Sequence, residues 1–155
     1  PQTILSGLRA MGRDNARTPV QWDGSTHAGF TEGMPWIAVN PNYPVINASE
    51  QVGDPTSVFA YFKALIELRH RLAVVANGSF ERIDAGSREI FAYRRVLGER
   101  ELIVTSNLSS HDARPSLPSD ISEAASEFVP VLTNANVWEE MDAPLAPWRV
   151  RVFLR

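Results

Sequence analysis

Two arginines, two aspartates, two side-chain amides and an indole stand within Gly12-Arg13-Asp14-Asn15-Ala16-Arg17-Thr18-Pro19-Val20-Gln21-Trp22-Asp23. A guanidinium presents several donors in a fixed plane, an amide both donates and accepts, and an indole offers a flat apolar face. Such a set grips a polyhydroxylated or anionic ligand. The same residues also suit a loop whose arginines only satisfy backbone carbonyls and pair with Asp14 and Asp23. The residues alone leave both readings open. The other dense polar group is Glu139-Glu140, beside Trp138 and Asp142. It reads as a solvated turn rather than an acid/base pair. His27, alone in a Gly-rich turn, reads as structural.

These groups must be held by elements, and the pattern around them is uneven. The stretch itself has neither helical nor strand periodicity. Thr18-Pro19 and the Asp23-Gly24 turn signal close it as a shaped loop. Before it, Ile4, Leu5, Leu8 and Met11 follow one helix face, so a short helix is predicted over residues 3–12, ended by Gly12. After it, residues 22–53 are rich in Gly, Pro, Asn and aromatics and lack periodicity. A structureless run of that length in a compact domain is either functional or disordered. Trp22, Phe30, Trp36, Ile37 and Tyr43 carry too much apolar area for disorder, so the run is expected to fold against a partner surface, with Trp22 and Trp36 as buried anchors.

Asp54-Pro55 reads as the N-cap and first position of the clearest helix, which is expected to run to about His70. Val58, Phe59, Phe62, Leu65 and Ile66 recur along it at helical spacing. Beyond Asn77-Gly78 the period shortens. Strands are predicted at Phe80 and Ile83, over residues 90–96, 102–107 and 127–133, near Val137-Trp138, and over 149–155. Leu97-Gly98-Glu99-Arg100 reads as a hairpin turn. Short strands with frequent turns predict an antiparallel sandwich, with a boundary near Ala76. The last strand alternates, with Val150, Val152 and Leu154 on one face and Arg149, Arg151, Phe153 and Arg155 on the other.

The 155 residues, 44% hydrophobic, suffice for one ordinary domain or for a small domain plus part of another. A net charge of −3 without any block of like charges points away from nucleic acid and acidic membrane surfaces. No apolar run is long enough to span a bilayer. With no cysteine, neither a disulfide nor a thiolate metal site can form. Sequons at Asn47, Asn77 and Asn107 come with no signal peptide and are read as unmodified, and a cytoplasmic setting is the default. The chain opens Pro1-Gln2-Thr3, already inside a helical pattern, so the true N-terminus is expected far upstream.

The loop and the segments after it resemble a known group. Arg13-Asp14-Asn15-Ala16-Arg17-Thr18-Pro19-Val20-Gln21-Trp22-Asp23, then Ala28-Gly29-Phe30, Pro35-Trp36 and Val39-Asn40-Pro41-Asn42-Tyr43, are similar to the oligo-1,6-glucosidase and α-glucosidase group of the α-amylase family. The likeness continues through Asp54-Pro55, Ser57-Val58-Phe59, Leu65-Ile66 and Leu68-Arg69, then Ile90-Phe91-Ala92-Tyr93, Ser106-Asn107-Leu108-Ser109 and Pro147-Trp148. The resemblance implies an α/β plus all-β architecture. Residues 1–75 would be the last unit of a (β/α)8 barrel, its final loop and helix, and residues 76–155 a C-terminal antiparallel β-sandwich domain. Loops after barrel strands lie at the catalytic face.

It further implies a retaining α-glucosidase that removes terminal α-linked glucose from oligosaccharides or sucrose-like glucosides, using two carboxylates roughly 5–5.5 Å apart. None of the family's catalytic carboxylate motifs occurs in this chain, which alone is expected to be inactive. Arg13 is the substrate-binding residue that the resemblance assigns. It would pair with an aspartate from an early barrel loop and hold outer hydroxyls of the terminal glucose. Asp14, Arg17 and Trp22 would shape the loop behind it. The implied partners are α-glucosides and the rest of the barrel, with no cofactor or metal. Three alternatives stand beside this reading: a sucrose isomerase, an α-glucosyl-transferring relative, and a structural or carbohydrate-binding β module. No exposed aromatic platform is evident in residues 77–155.

Overall fold

The computed structural model describes residues 2–155, with Asn15 described by its backbone only; Pro1 and the Asn15 amide lie outside the described residues. The chain divides into two compact units, Pro1–Ala64 and Leu65–Arg155. The sequence pattern puts its change of character later, near Ala76.

The first unit carries helix α1 (Gln2–Met11), α2 (Ala48–Gly53) and the start of α3 (Val58–Arg71), with no strand among its described residues. Helix α1 ends at Gly12, whose N–H bonds the Leu8 carbonyl at 2.7 Å. A Cβ there would lie 2.4 Å from that same oxygen, so only glycine closes the helix this tightly. Helix α2 was hidden in the aperiodic run. Its N-cap is Asn47, which accepts from Glu50 N–H at 3.0 Å and donates to the Tyr43 carbonyl at 2.9 Å.

The start of α3 differs from the expected one. Asp54 binds locally: its Oδ1 accepts from Thr56 N–H at 2.8 Å and from Thr56 Oγ1 at 2.7 Å. This Asx turn spends the carboxylate and delays the helix. Ser57 is the effective cap, its Oγ accepting from Ala60 N–H at 3.1 Å. The two Thr56 hydrogen bonds hold the Asp54 carboxyl below its ordinary value.

The second unit is built on one antiparallel sheet of order β1-β2-β3-β5-β4. Its strands are β1 (Glu81–Ile83), β2 (Ile90–Leu97), β3 (Arg100–Asn107), β4 (Val129–Thr133) and β5 (Val150–Leu154). β2 and β3 pair from Ile90↔Asn107 to Leu97↔Arg100 around the predicted hairpin, with Gly98 at φ +60°. A positive φ at the first central residue only is the type II′ geometry that glycine favours. Val137-Trp138 does not form a strand. A second ladder does not form over the core face either. α5 (Ser119–Glu123), a 3-10 turn and loops cover it, tied by the isolated bridge Ala113↔Leu145. Pro115, Pro118, Pro144 and Pro147 flank that bridge and remove the donors a longer ladder would need.

The core on this face gathers Ile83, Ile90, Ala92, Ile103, Ile121, Phe128, Met141, Leu145 and Phe153. The opposite face is also covered, because β3 is buried from Glu101 to Asn107. A short helix, α4 (Ala73–Asn77), ends beside β2, and Arg95 donates to the carbonyls of Val75 (2.7 Å), Gly78 (2.6 Å) and Ser79 (3.3 Å) at its C-terminus. Inner strands have no wet face. That is why Arg151, on what looks like the polar side of the last strand, is 2% exposed.

At one edge of the core face Glu101 meets Arg155 at 2.6 Å, and Arg94 meets Glu81 and Asp120, each at 2.8 Å. At the other edge the buried Asn107 amide donates to His111 O (2.7 Å), Leu145 O (2.9 Å) and Ala146 O (3.1 Å). Its Oδ1 accepts from Ser109 N–H and Oγ. Asn47 and Asn107, each the first residue of a sequon, are both buried. Among the described residues no helix is long and apolar enough to cross a membrane.

Candidate functional site

After Gly12 the chain turns at Arg13, whose φ of −110° and ψ of 7° fall in the sparsely populated bridge region. A single 3-10 turn, Asp14–Ala16, comes next; Ala16 N–H bonds Arg13 O and Arg17 N–H bonds Asp14 O, both at 3.0 Å. Backbone bonds alone hold this turn. Among the described residues the guanidiniums of Arg13 and Arg17 have no hydrogen bond or ion pair, and the Asp14 carboxylate has none. All three residues are exposed.

The alternative role for these arginines was neutralisation by Asp14 and Asp23. Asp23 is committed elsewhere. Its Oδ1 accepts from Ser25 N–H at 2.8 Å and from Ser25 Oγ, and those bonds hold its carboxyl below the ordinary value. Asp23 also packs over Gly29, where a Cβ would meet its carboxylate oxygens at 2.7 and 2.8 Å.

The loop from Trp22 to Phe30 is unusual in its backbone. His27, Ala28 and Gly29 hold φ values of 55°, 59° and 64°, consecutive left-handed residues. Left-handed conformation costs a non-glycine residue roughly 1–2 kcal/mol. The surroundings hold it in place: Ala28 is fully buried, and its carbonyl accepts from Trp22 N–H at 2.9 Å and Asp23 N–H at 3.3 Å. Gln21 ties the loop to the next segment, its amide donating to Asn42 Oδ1 at 3.1 Å and to the Ile46 carbonyl. The carbonyls of Gln21 and Trp22 accept from Ala48 and Ser49 N–H at the start of α2.

Arg17 joins Thr18, Phe30, Thr31, Met34 and Trp36 around an open cleft of about 320 Å³. Trp36 is 95% exposed and Trp22 54%, so nothing among the described residues buries either indole fully. The loop is folded by its backbone and small polar side chains, while its guanidiniums and indoles are left outward. A guanidinium–aromatic surface of this kind can stack on a sugar ring and donate to its hydroxyls. Among the described residues no group of acidic or histidine side chains is placed to hold a metal.

Comparison with known proteins identifies relatives of the chain. Residues 1–78 match the family described as alpha amylase, catalytic domain. The oligo-1,6-glucosidase of Parageobacillus thermoglucosidasius is 41% identical over 99% of the chain and 27% of its own length. The glucan 1,6-alpha-glucosidase of Streptococcus pneumoniae is 36% identical over 95% of the chain and 26% of its own length. The crystal structure of Bacillus licheniformis trehalose-6-phosphate hydrolase superposes with a TM-score of 0.84 and 35% identity, over 98% of this chain and 28% of that one. The isomaltulose synthase SmuA from Protaminobacter rubrum does so at 0.78 and 38%, over 92% and 25%. The chain spans about a quarter of the length of the relatives it matches. With half its residues under the family's catalytic-domain pattern, the chain belongs to the alpha-amylase family.

Proposed function

We propose that this chain is the C-terminal part of a retaining α-glucosidase that releases glucose from the non-reducing ends of oligosaccharides or sucrose-like glucosides. In this reading residues 1–75 are the final loop and helix of a (β/α)8 barrel, and residues 76–155 form its C-terminal antiparallel β domain. The catalytic carboxylates lie on the missing barrel units, so the chain alone turns over no substrate. It supplies recognition: Arg13 holds outer hydroxyls of the terminal glucose, oriented by a carboxylate from an earlier loop.

One observation carries the assignment of Arg13. The loop contains two acidic residues that could have paired with its arginines, and neither does. A guanidinium left free by its own loop is available to a ligand or to a carboxylate from elsewhere. The similarity to glucan and oligo-1,6-glucosidases supports the substrate class, and that to isomaltulose synthase keeps sucrose isomerisation as the second reading.

The test is Arg13→Ala in the complete enzyme. Loss of charge-assisted hydrogen bonds of about 1.5–3 kcal/mol lowers kcat/KM on p-nitrophenyl α-glucoside by roughly ten- to a hundred-fold. Unchanged kinetics would remove Arg13 from the substrate site.

A further inference from the structure

The carboxylate turn at residues 138–142 is not simply solvated. It forms one wall of a pocket of about 560 Å³ in the second unit. That volume lies within the range of small-molecule sites. The floor is apolar, made by the buried rings of Phe128 and Phe153 and the Met141 side chain. Trp138 stands on the wall and is 57% exposed, an aromatic platform that the sequence did not reveal. Glu140 and Asp142 line the same wall, and among the described residues their carboxylates have no partner.

The turn that carries these groups is held rigidly from behind. Arg151 donates to Glu139 Oε2 through Nε (3.1 Å) and Nη2 (2.6 Å), to Glu140 O at 3.0 Å, to Ala143 O at 2.8 Å and to the Pro144 carbonyl. Arg114 Nη1 adds a bond to Asp142 O at 2.9 Å. Preorganised acceptors lose little entropy when a ligand docks. Glu139 is neutralised by Arg151, which leaves Glu140 and Asp142 as free acceptors beside an indole.

We propose that this pocket is a non-catalytic binding site for a neutral glucosyl oligosaccharide. The C–H face of a glucose ring stacks on Trp138, and its hydroxyls donate to Glu140 and Asp142 in charge-assisted bonds. Anionic sugars are repelled by the same carboxylates. The choice of glucosyl units rests on the reading of the chain as part of an α-glucosidase; the site itself rests on the pocket.

The test is calorimetric titration of the 155-residue chain with maltotetraose and with isomaltotriose. At least one binds, Trp138→Ala weakens that binding tenfold or more, Asp142→Asn weakens it too, and Glu99→Gln, on the exposed hairpin turn and outside the pocket lining, leaves it unchanged. Circular dichroism confirms that the variants remain folded. No binding at millimolar sugar overturns the proposal, as does binding insensitive to Trp138→Ala, equal loss on Glu99→Gln, or uptake of tetramethylammonium but not sugar. Failure here leaves the role of Arg13 in turnover intact, because that role is read in kcat/KM of the complete enzyme.

Discussion

Two arginines of this chain show how far residue type falls short of residue role. Arg13 sits on an exposed turn and has no partner among the described residues. Arg151 sits on an inner strand and has every donor direction used, by one carboxylate and three carbonyls. Only the first is marked by its sequence as a candidate for binding, through the motif around it. The second lies on the more polar face of an alternating strand, and alternation reports a wet face only when the strand has one. The structural weight of Arg151 lies in the groups its removal would strand. Arg151→Met leaves Glu139 half-buried and unpaired and frees three carbonyls, so a loss of about 3–5 kcal/mol is expected in urea denaturation of the chain. Arg151→Lys keeps the charge but not the fork, and recovers only part of that loss. Equal stability of all three proteins would mean that water satisfies the turn.

Among elements, the long periodic ones were legible and the short capped ones were not. α1, α3, β2, β3 and β5 fall within a few residues of where hydrophobic spacing puts them. α2 and α4, of six and five residues, are too short to show a helical period. α2 exists because Asn47 caps it and Gln21 and Trp22 supply carbonyls to its first donors. The left-handed turn at His27-Ala28 was invisible for a different reason. No local signal marks two non-glycine residues that tertiary contacts force to positive φ. The cap of α3 gives the sharpest element-scale prediction. Aspartate before proline has the right composition for an N-cap, yet the Asx turn to Thr56 consumes its oxygen. Ser57→Ala therefore costs about 1 kcal/mol. Asp54→Ala costs less, because it removes a turn bond and no helix cap. Amide exchange along residues 58–61 separates the two: protection falls in the Ser57 variant and holds in the Asp54 variant.

At the scale of the whole molecule, the two units differ in how completely they bury themselves. The second has a contiguous core under a five-stranded sheet. The first leaves outward the faces that amphipathic helices ordinarily bury. On α1, Ile4 is 70% exposed, Leu8 62% and Met11 84%; on α3, Val58 is 78% exposed and Phe62 62%. Contiguous apolar surface of this kind marks an interaction site or an aggregation liability. In the proposed reading the earlier barrel units are the natural cover, and this chain spans about a quarter of the length of its relatives. Expressed alone, the 155-residue chain is therefore expected to associate through these faces. Light scattering behind gel filtration should show mass rising with micromolar concentration. Leu8→Asp with Phe62→Asp places charge in both faces and should return the chain towards monomer, without loss of the sheet signal in circular dichroism. Association unchanged by that double substitution would put the contact on the sheet unit instead, at exposed groups such as Trp148 or Val129. The size of the effect is set by area: burying one leucine and one phenylalanine contributes about 1.5–3 kcal/mol each, enough to shift an association constant by at least two orders of magnitude in total.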